Sequence, residues 1–298
     1  MSDFLRNLSD AMAGIVESAG RSVVRVEGRR RLAASGVVWS AEGVILTAHH
    51  VVHADDEIGI GLPDGNSAGA RLVGRDPSTD LAVLRTDAPG LVAVERTAGQ
   101  ELHVGHLVLA LGRPGRTAQA TLGIVSALGG EWRTPAGGLV DRYLQTDVVM
   151  YPGFSGGPLV DVGGRLVGMN TSALLRGVSL SVPVPTLERV VESLLTHGRV
   201  RRGYLGVGAQ PVRLPQAIAQ QLGQETGLLL ASVNAGGPAD TAGLLLGDTL
   251  VALDGQPLRH MDDLVASLGG ERIGQEARIR LLRGGQIQEI GVVIGARP

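Results

Sequence analysis

The sequence predicts a mostly β protein with two domains. Its 298 residues exceed what one domain usually holds. Glycine supplies 45 residues and aromatic residues only 2%, which favours many tight turns around an aliphatic core. From Ser22 to Pro185, short apolar runs alternate with Gly, Pro and Asp, so we expect short strands in a barrel or a sandwich. The runs are 23–26, 36–39, 44–46, 81–84, 107–111, 123–127, 166–169 and 180–184.

Charge and cysteine content narrow the function classes. The chain has 27 Lys and Arg against 29 Asp and Glu, so its formal charge is −2. A field strong enough to hold nucleic acid or an anionic membrane is not expected from this balance. Cysteine is absent, which removes disulfides, thiolate nucleophiles and cysteine-ligated metals. Any covalent chemistry therefore needs another nucleophile.

Residues 1–21 are predicted to form an amphipathic helix. Apolar side chains recur there at helical spacing from Leu5 to Ala19, so one face packs on its own domain or on a neighbouring subunit. Charged residues interrupt the segment, which therefore contains neither a signal-peptide core nor a membrane span. The remaining apolar runs are of strand length, so no membrane span is expected. The sequence as given predicts a soluble, cytoplasmic protein, or a periplasmic or other extracytoplasmic one if a leader is missing.

A domain boundary is predicted near residue 198. The segment Pro185–His197 places its apolar side chains on one helical face and ends at Gly198, a typical helix stop. We therefore assign 22–198 to the first domain and 199–298 to a second, small α+β domain. Its predicted strands are 205–209, 227–233, 249–253, 277–282 and 289–294, and its predicted helices are 214–222 and 261–268.

One serine lies in a glycine-rich turn, Gly153-Phe-Ser-Gly-Gly-Pro158. Glycines allow the chain to turn tightly and bring backbone N–H groups close to a reacting carbonyl. Ser155 is therefore the candidate nucleophile, and the N–H groups of Gly153 and Ser155 form the candidate oxyanion hole. A serine flanked by glycine more often forms only a turn, so the hypothesis needs a partner base.

The candidate base is His50, which follows the apolar run 43–48. His53 stands three residues further on, but no third ligand lies at a familiar spacing, so we predict no metal site. With Asp80 and Ser155, His50 gives the chain order of a hydrolase triad. We expect these three side chains to converge within hydrogen-bonding distance. Asp76 is the competing acid, although its position before Pro77 is more typical of a turn.

These motifs resemble the HtrA/DegP/DegS group of trypsin-like serine proteases over nearly the whole chain. Residues 45–52 are similar to the catalytic histidine segment, 79–83 to the aspartate segment and 145–159 to the run around the nucleophile. The resemblance implies a double β-barrel protease domain whose catalytic residues are His50, Asp80 and Ser155, without a cofactor. It also implies an endopeptidase that cleaves unfolded or misfolded proteins in protein quality control, and a homotrimer with Phe4 near the interface.

Two residues depart from the family pattern beside the nucleophile. Phe154 stands where the family usually has Asn, and Pro152 stands where a non-proline residue is usual. The orientation of the 152–153 peptide decides whether the oxyanion hole exists, and Pro152 biases this orientation without fixing it. Two alternatives follow: a catalytically silent peptide-binding or chaperone-like relative, and a scaffold in which the second domain does the work.

Segments 168–171 and 180–185 also resemble the strand and loop that line the family's primary specificity pocket. Neither 167–171 nor 178–184 contains an acidic residue that would pair with Lys or Arg. We therefore expect cleavage after small or medium aliphatic residues.

The second domain begins with a short apolar strand entered through Gly203. A strand edge beside a helix, with backbone N–H groups in a glycine turn, is suited to capturing a peptide C-terminus. The domain resembles a PDZ domain of the HtrA kind. The predicted peptide-binding residues are Tyr204, Leu205, Gly206 and Val207, together with Leu264 and Leu268 from the helix side.

Overall fold

The computed structural model describes residues 2–29, 32–53, 57–96 and 102–296. The chain forms two compact units, 1–200 and 201–298. The first unit contains two closed six-stranded barrels, and the second contains a separate antiparallel sheet. The mostly β prediction is confirmed, and the first unit is built from barrels rather than a sandwich.

The first barrel follows an N-terminal helix, α1 (Ser2–Gly20). Its strands pair in the order β1-β2-β3-β6-β5-β4, and β4 closes on β1. All five residues of β3 are buried, because its apolar run faces both the barrel interior and the adjoining core. The strands are β1 (Val23–Glu27), β2 (Ala34–Ser40), β3 (Val44–Ala48), β4 (Ile58–Gly61), β5 (Ser67–Asp76) and β6 (Leu81–Arg85).

The second barrel has the order β11-β14-β13-β12-β7-β8, with a small hairpin, β9–β10, outside it. Helix α2 (Val184–His197) follows the barrel and ends at Gly198, which adopts the left-handed conformation expected of a helix stop. The strands are β7 (Leu107–Gly112), β8 (Gln119–Leu128), β9 (Trp132–Arg133), β10 (Leu139–Val140), β11 (Leu144–Thr146), β12 (Pro158–Asp161), β13 (Leu166–Thr171) and β14 (Leu180–Pro183).

Strands β4 and β5 have no counterpart among the predicted runs. Glycine alternates with other residues in β4, and Gly59 pairs directly with Gly69 of β5. Gly74 lies so close to the chain after α2 that a Cβ atom would stand 2.2 Å from the Gly198 carbonyl oxygen. The two isoleucines of β4 are separated by glycine, and glycine, alanine and arginine interrupt the apolar side chains of β5, so neither strand shows the continuous apolar run by which the other strands were predicted.

The C-terminal half of α1 packs on its own domain. Ala19 is buried, and Met12, Ile15 and Val16 pack with it against the second barrel. Phe4, near the other end of the helix, is 69% exposed. The predicted amphipathic helix is therefore present. The apolar side chains of its C-terminal half pack on the second barrel, whereas Phe4 in its N-terminal half is exposed.

A buried arginine joins the end of α1 to the barrels. The Arg113 guanidinium donates hydrogen bonds to the carbonyl oxygens of Gly20 at 2.9 Å, Val23 at 2.7 Å and Arg116 at 2.7 Å. Burial lowers the pKa of Arg113 from its ordinary value. All three acceptors are peptide carbonyls, so the link is made by hydrogen bonds rather than by an ion pair.

The second unit is a sheet with three short helices. Its strands pair in the order β16-β17-β18-β20-β21, with β19 on β18, and β15 pairs with β22 beside them. Strand β16 lies at one edge of the sheet. The elements are β15 (Gly203–Tyr204), β16 (Val207–Arg213), α3 (Gln216–Leu222), β17 (Thr226–Val233), α4 (Pro238–Thr241), β18 (Thr249–Leu253), β19 (Gln256–Pro257), α5 (Met261–Ala266), β20 (Glu276–Arg283), β21 (Gln286–Val293) and β22 (Gly295–Ala296).

Across the parts of the chain that the structure describes, each helix is too short or too polar to cross a membrane.

Candidate active site

His50 and Asp80 lie close together because one follows the end of a strand and the other precedes the start of the strand paired with it. His50 follows β3, Asp80 precedes β6, and these strands pair so that Ala48 lies opposite Leu81. The His50 Nδ1 atom is 2.8 Å from Asp80 Oδ2, and the His50 backbone N–H donates to Oδ1 at 2.9 Å. The Asp80 side chain is 4% exposed and that of His50 is 28% exposed. Because Nδ1 faces a carboxylate and carries the proton, neutral His50 has its lone pair on Nε2.

Asp80 also receives a hydrogen bond from the second barrel. Thr171, the last residue of β13, donates through Oγ1 to Asp80 Oδ2. The carboxylate therefore binds one residue from each barrel. Sequence analysis placed Thr171 only in the wall of a specificity pocket and missed this contact.

The competing acid, Asp76, is occupied within its own turn. Its oxygens accept hydrogen bonds from Ser78 Oγ at 2.6 Å and from Thr79 Oγ1 at 2.7 Å. Such contacts are typical of an aspartate that forms a turn before a proline. The structure brings Asp80, not Asp76, to His50.

Ser155 lies in the turn before β12 and is partly buried. Its Oγ atom is 3.3 Å from Ser172 Oγ, and Ser172 directly follows Thr171. Among the described residues, no hydrogen bond joins Ser155 Oγ to His50, so the direct contact expected from the sequence is absent. The Ser155 hydroxyl is directed at Ser172 instead, and rotation about χ1 is the motion that redirects a serine hydroxyl.

The residues before Ser155 form a type II turn. The Phe154 N–H donates to the Tyr151 carbonyl at 3.0 Å, Pro152 occupies the second position, and Gly153 has a φ of +94°. In a type I turn the third residue would instead have a φ of about −90°. The N–H groups of Gly153 and Ser155 have no acceptor in the part of the chain that the structure describes. The turn therefore leaves both candidate oxyanion donors available.

Ser35, in β2 of the first barrel, contacts this turn at two points. Its Oγ donates to the Gly153 carbonyl at 2.7 Å and accepts the Arg113 N–H at 2.7 Å. Its own N–H donates to the Ser155 carbonyl at 3.2 Å. Sequence analysis missed Ser35. The signal available was a polar residue within an otherwise apolar strand, since a fully buried hydroxyl requires a partner.

Phe154 is fully buried in the second barrel. It belongs to the apolar cluster that includes Val108, Val148 and Leu159. Its ring also makes an edge-to-face contact with Tyr151, with centroids 5.9 Å apart. The residue that departs from the family pattern therefore holds the turn through core packing.

The two neighbouring histidines do not extend the site. His53 Nε2 lies 3.3 Å from the His50 carbonyl oxygen, and burial lowers the pKa of His49. Within the described ranges, no group of three potential metal-ligating side chains is present. Among these described residues, His50 and His53 thus have no third ligand.

In the second unit, the loop before β16 offers backbone donors. The carbonyls of Leu205 and Gly206 accept hydrogen bonds from Ala239 and Asn234, both at 2.8 Å. In contrast, the N–H groups of Leu205 and Gly206 have no acceptor among the residues described. Gly206 has a φ of +79°. The loop can therefore donate to a carboxylate.

The other predicted peptide contacts surround this loop in different ways. Val207 begins the edge strand β16, and Tyr204 accepts a hydrogen bond at its hydroxyl from Asn234 Nδ2 at 2.6 Å. Leu264 is buried in α5, which packs against β16. Helix α5 ends at Ala266 and is shorter than predicted, so Leu268 lies beyond it. The Leu268 carbonyl accepts the Gly203 N–H at 3.1 Å.

The paired barrels and the His50–Asp80 contact define a trypsin-like peptidase architecture, and comparison with known families agrees. Residues 34–169 match the trypsin-like peptidase domain, and residues 203–294 match the PDZ domain. The solved structure of the HtrA-type protease AlgW with a decapeptide has a TM-score of 0.77 and 31% identity, covering 96% of this chain and 98% of that one. The chain belongs to the HtrA-type serine protease family.

Further relatives agree with this assignment. The serine endoprotease from Yersinia pestis has a TM-score of 0.77 at 31% identity, covering 95% of this chain and 97% of that one. A protein from Pseudomonas putida named probable periplasmic serine endoprotease DegP-like is 38% identical over 270 residues, which are 89% of this chain and 56% of the relative. The chain thus spans little more than half the length of such curated relatives.

The packing of Phe154 can be tested by stability measurements. We expect Phe154→Ala to lower the free energy of unfolding of the first unit by about 3–5 kcal/mol, because it leaves a cavity in the core. Urea unfolding followed by tryptophan fluorescence measures this, since both tryptophans lie in that unit. Val162→Ala, at a side chain of the same unit that is 56% exposed, is the control and should change stability by less than about 0.5 kcal/mol. Equal losses in the two variants would contradict the packing argument.

Proposed function

We propose that this chain is a serine endopeptidase that cleaves unfolded or misfolded proteins through His50, Asp80 and Ser155, in protein quality control. The observation that carries the proposal is the Asp80 carboxylate, which binds His50 and Thr171 beside the Ser155 turn. In the same proposal, residues 22–198 form the protease domain and 199–298 a PDZ domain that binds peptide C-termini. Residues 1–21 form the preceding helix.

The geometry supports the following mechanism. Ser155 Oγ turns from Ser172 towards His50 Nε2, which takes its proton as the oxygen attacks the peptide carbonyl. Asp80 keeps the proton on Nδ1 and stabilises the imidazolium that forms. The N–H groups of Gly153 and Ser155 bind the developing oxyanion. His50 then protonates the leaving amine, and the acyl group stays on Ser155 Oγ. His50 next takes a proton from water as the water oxygen attacks this acyl carbonyl, and it returns a proton to Ser155 Oγ as the acid leaves.

The structure does not favour the catalytically silent alternative. That alternative requires Pro152 and Phe154 to hold the oxyanion hole collapsed. The positive φ of Gly153 belongs to a type II turn, and both candidate N–H donors lack an acceptor in the described chain. The scaffold alternative would instead predict that Ser155→Ala leaves every cellular effect intact.

The specificity pocket proposed from the sequence has walls without a carboxylate. Its two segments include residues of β13 and β14, which are buried and pair with each other. Asn170 and Ser181 are one of the pairs. The Asn170 side chain is already engaged, because Nδ2 donates to the Pro158 carbonyl at 2.9 Å and Oδ1 accepts from Ser181 at 3.2 Å. These contacts support a preference for aliphatic over basic residues.

The assembly and compartment are also proposals. The exposed apolar side chains at the start of α1, including Phe4 and Leu5, support a homotrimer in which this end of the helix lies near the interface. The cytoplasmic assignment made from the sequence is not confirmed. Because the Pseudomonas putida relative is named as periplasmic, we propose the same compartment for this chain.

The first prediction concerns the nucleophile. We expect Ser155→Ala to reduce cleavage of denatured casein by at least about 10⁴-fold, because it removes the oxygen proposed to attack the peptide carbonyl. Mass spectrometry of the fragments measures cleavage, and a fluorophosphonate probe measures reaction at Ser155 directly. Ser9→Ala, on the exposed surface of α1, is the control. Unreacted wild-type Ser155 would support the silent alternative instead.

The second prediction concerns Ser35 as a positioning residue. Ser35→Ala removes the hydrogen bond to the Gly153 carbonyl, so the oxyanion turn loses a fixed position. We expect kcat to fall by about 10- to 100-fold with little change in KM. A peptide boronate, whose tetrahedral adduct uses the oxyanion hole, should lose affinity in the same variant. A KM increase with unchanged kcat would contradict this role.

The third prediction concerns substrate choice. Peptide substrates with Val at the residue before the cleaved bond should have a kcat/KM at least about 10-fold above matched substrates with Arg, because a buried guanidinium would find no carboxylate in the pocket. Steady-state kinetics on the paired substrates measures the ratio. A preference for Arg would reject the proposed pocket.

A further inference from the structure

An open cavity of about 920 Å³ lies in the second unit at the far end of β16. Its walls include Arg213, the last residue of β16, and Arg259 and His260, which precede α5. The outer wall comes from α3. We propose that this cavity is a second subsite of the peptide groove and takes acidic side chains lying upstream of a bound C-terminus. The inference rests on the peptide-binding function proposed above.

The position of the cavity follows from the directions of β16 and α5. The unengaged N–H groups of Leu205 and Gly206 lie before the start of β16, and the Gly203–Leu268 hydrogen bond places the segment after α5 at that same end. Since α5 packs along β16, the start of α5 lies beside the end of the strand. The cavity therefore lies at the opposite end of the groove from the candidate carboxylate-binding loop.

This geometry sets which peptide residues reach the cavity. A peptide whose C-terminal carboxylate binds at Leu205 and Gly206 would add to the exposed edge of β16 and run antiparallel to it. Strand residues pair one to one at about 3.3 Å per residue. Strand β16 has 7 residues, and the register shift between Gly208 and Ala209 places the extra residue, Ala231, in the neighbouring strand β17. The residues about five to seven positions before the C-terminus therefore face the end of β16.

The charge of the cavity favours an acidic side chain. In the described chain, neither the Arg213 nor the Arg259 guanidinium has an ion pair or a hydrogen bond. By contrast, Arg272, Arg280 and Arg283 of the same unit each bind a carboxylate.

Two carboxylates lie near the cavity, one within its lining and one outside it. Glu225 is the one acidic residue among the lining residues. The Asp263 carboxylate accepts the backbone N–H groups of Arg259 at 2.7 Å and of His260 at 2.9 Å. Two guanidinium groups therefore face one unengaged carboxylate, so the cavity is complementary to an acidic segment of a peptide.

The test compares peptides that share one C-terminus. The full chain carrying Ser155→Ala is used, so that peptides are not cleaved, and binding is measured by fluorescence anisotropy. Four-residue peptides ending in Val, Leu or Phe first identify a C-terminus that binds the groove. Two ten-residue peptides then keep that C-terminus and carry either two Glu or two Gln at the sixth and seventh positions before the last residue.

We expect the Glu peptide to bind about 3- to 10-fold more tightly than the Gln peptide, the size expected for two exposed ion pairs. Added salt should reduce this advantage. In the double variant Arg213→Gln and Arg259→Gln the advantage should disappear, while the four-residue peptide binds as before. Arg278→Gln, an exposed arginine outside the cavity, is the matched control and should keep the advantage.

The outcomes separate the two proposals. If no four-residue peptide binds, the proposed PDZ function is wrong, and the subsite proposal is overturned with it. If the four-residue peptide binds but the Glu and Gln peptides bind equally, only the subsite is overturned. An advantage that survives in the double variant would also overturn the subsite, because the two arginines would not be its source.

Discussion

The arrangement of the candidate site depends on the Asp80 carboxylate. Asp80 has a φ of +57°, a conformation that L-residues adopt at a cost but that aspartate tolerates better than most. Its oxygens bind the His50 backbone, the His50 ring and Thr171, and hydrogen bonds to a carboxylate are among the stronger ones in proteins. Because Thr171 belongs to the second barrel and His50 to the first, one buried charge fixes the relation between the two barrels at the point where the chemistry is proposed.

The turn that carries Ser155 is held from both sides. Phe154 packs into the second barrel, and Ser35 of the first barrel binds the carbonyls of Gly153 and Ser155. Position 154 is usually Asn in the family and is Phe here, so this side chain is held by core packing and not by its own hydrogen bonds. Pro152 suits the second position of a type II turn and Gly153 suits the third. The two departures from the family pattern are thus compatible with an available pair of N–H donors.

Local patterns in the sequence encode several features of the fold and the site. The apolar run of β3, the stop of α2 at Gly198, and the motifs around His50, Asp80 and Ser155 are all readable within a few residues. Strands β4 and β5 were not found, because glycines interrupt their apolar side chains and leave no continuous apolar run. Ser35 and Thr171 were not found because their partners lie 118 and 91 residues away in the chain. The contact of Ser155 with Ser172 depends on a rotamer, which no sequence pattern specifies.

Arg113 gives the N-terminal helix a particular kind of attachment. Its side chain binds the carbonyl that ends α1, and its backbone N–H binds Ser35, which in turn binds Gly153. The end of the helix and the nucleophile turn are therefore linked through Arg113 and Ser35. Peptide carbonyls do not titrate in acid as carboxylates do, and a guanidinium stays protonated. The joint thus keeps every donor and acceptor in acidic surroundings, whereas an ion pair between an arginine and a carboxylate is lost once the carboxylate is protonated. The end of the helix therefore stays fastened there without depending on a titrating group.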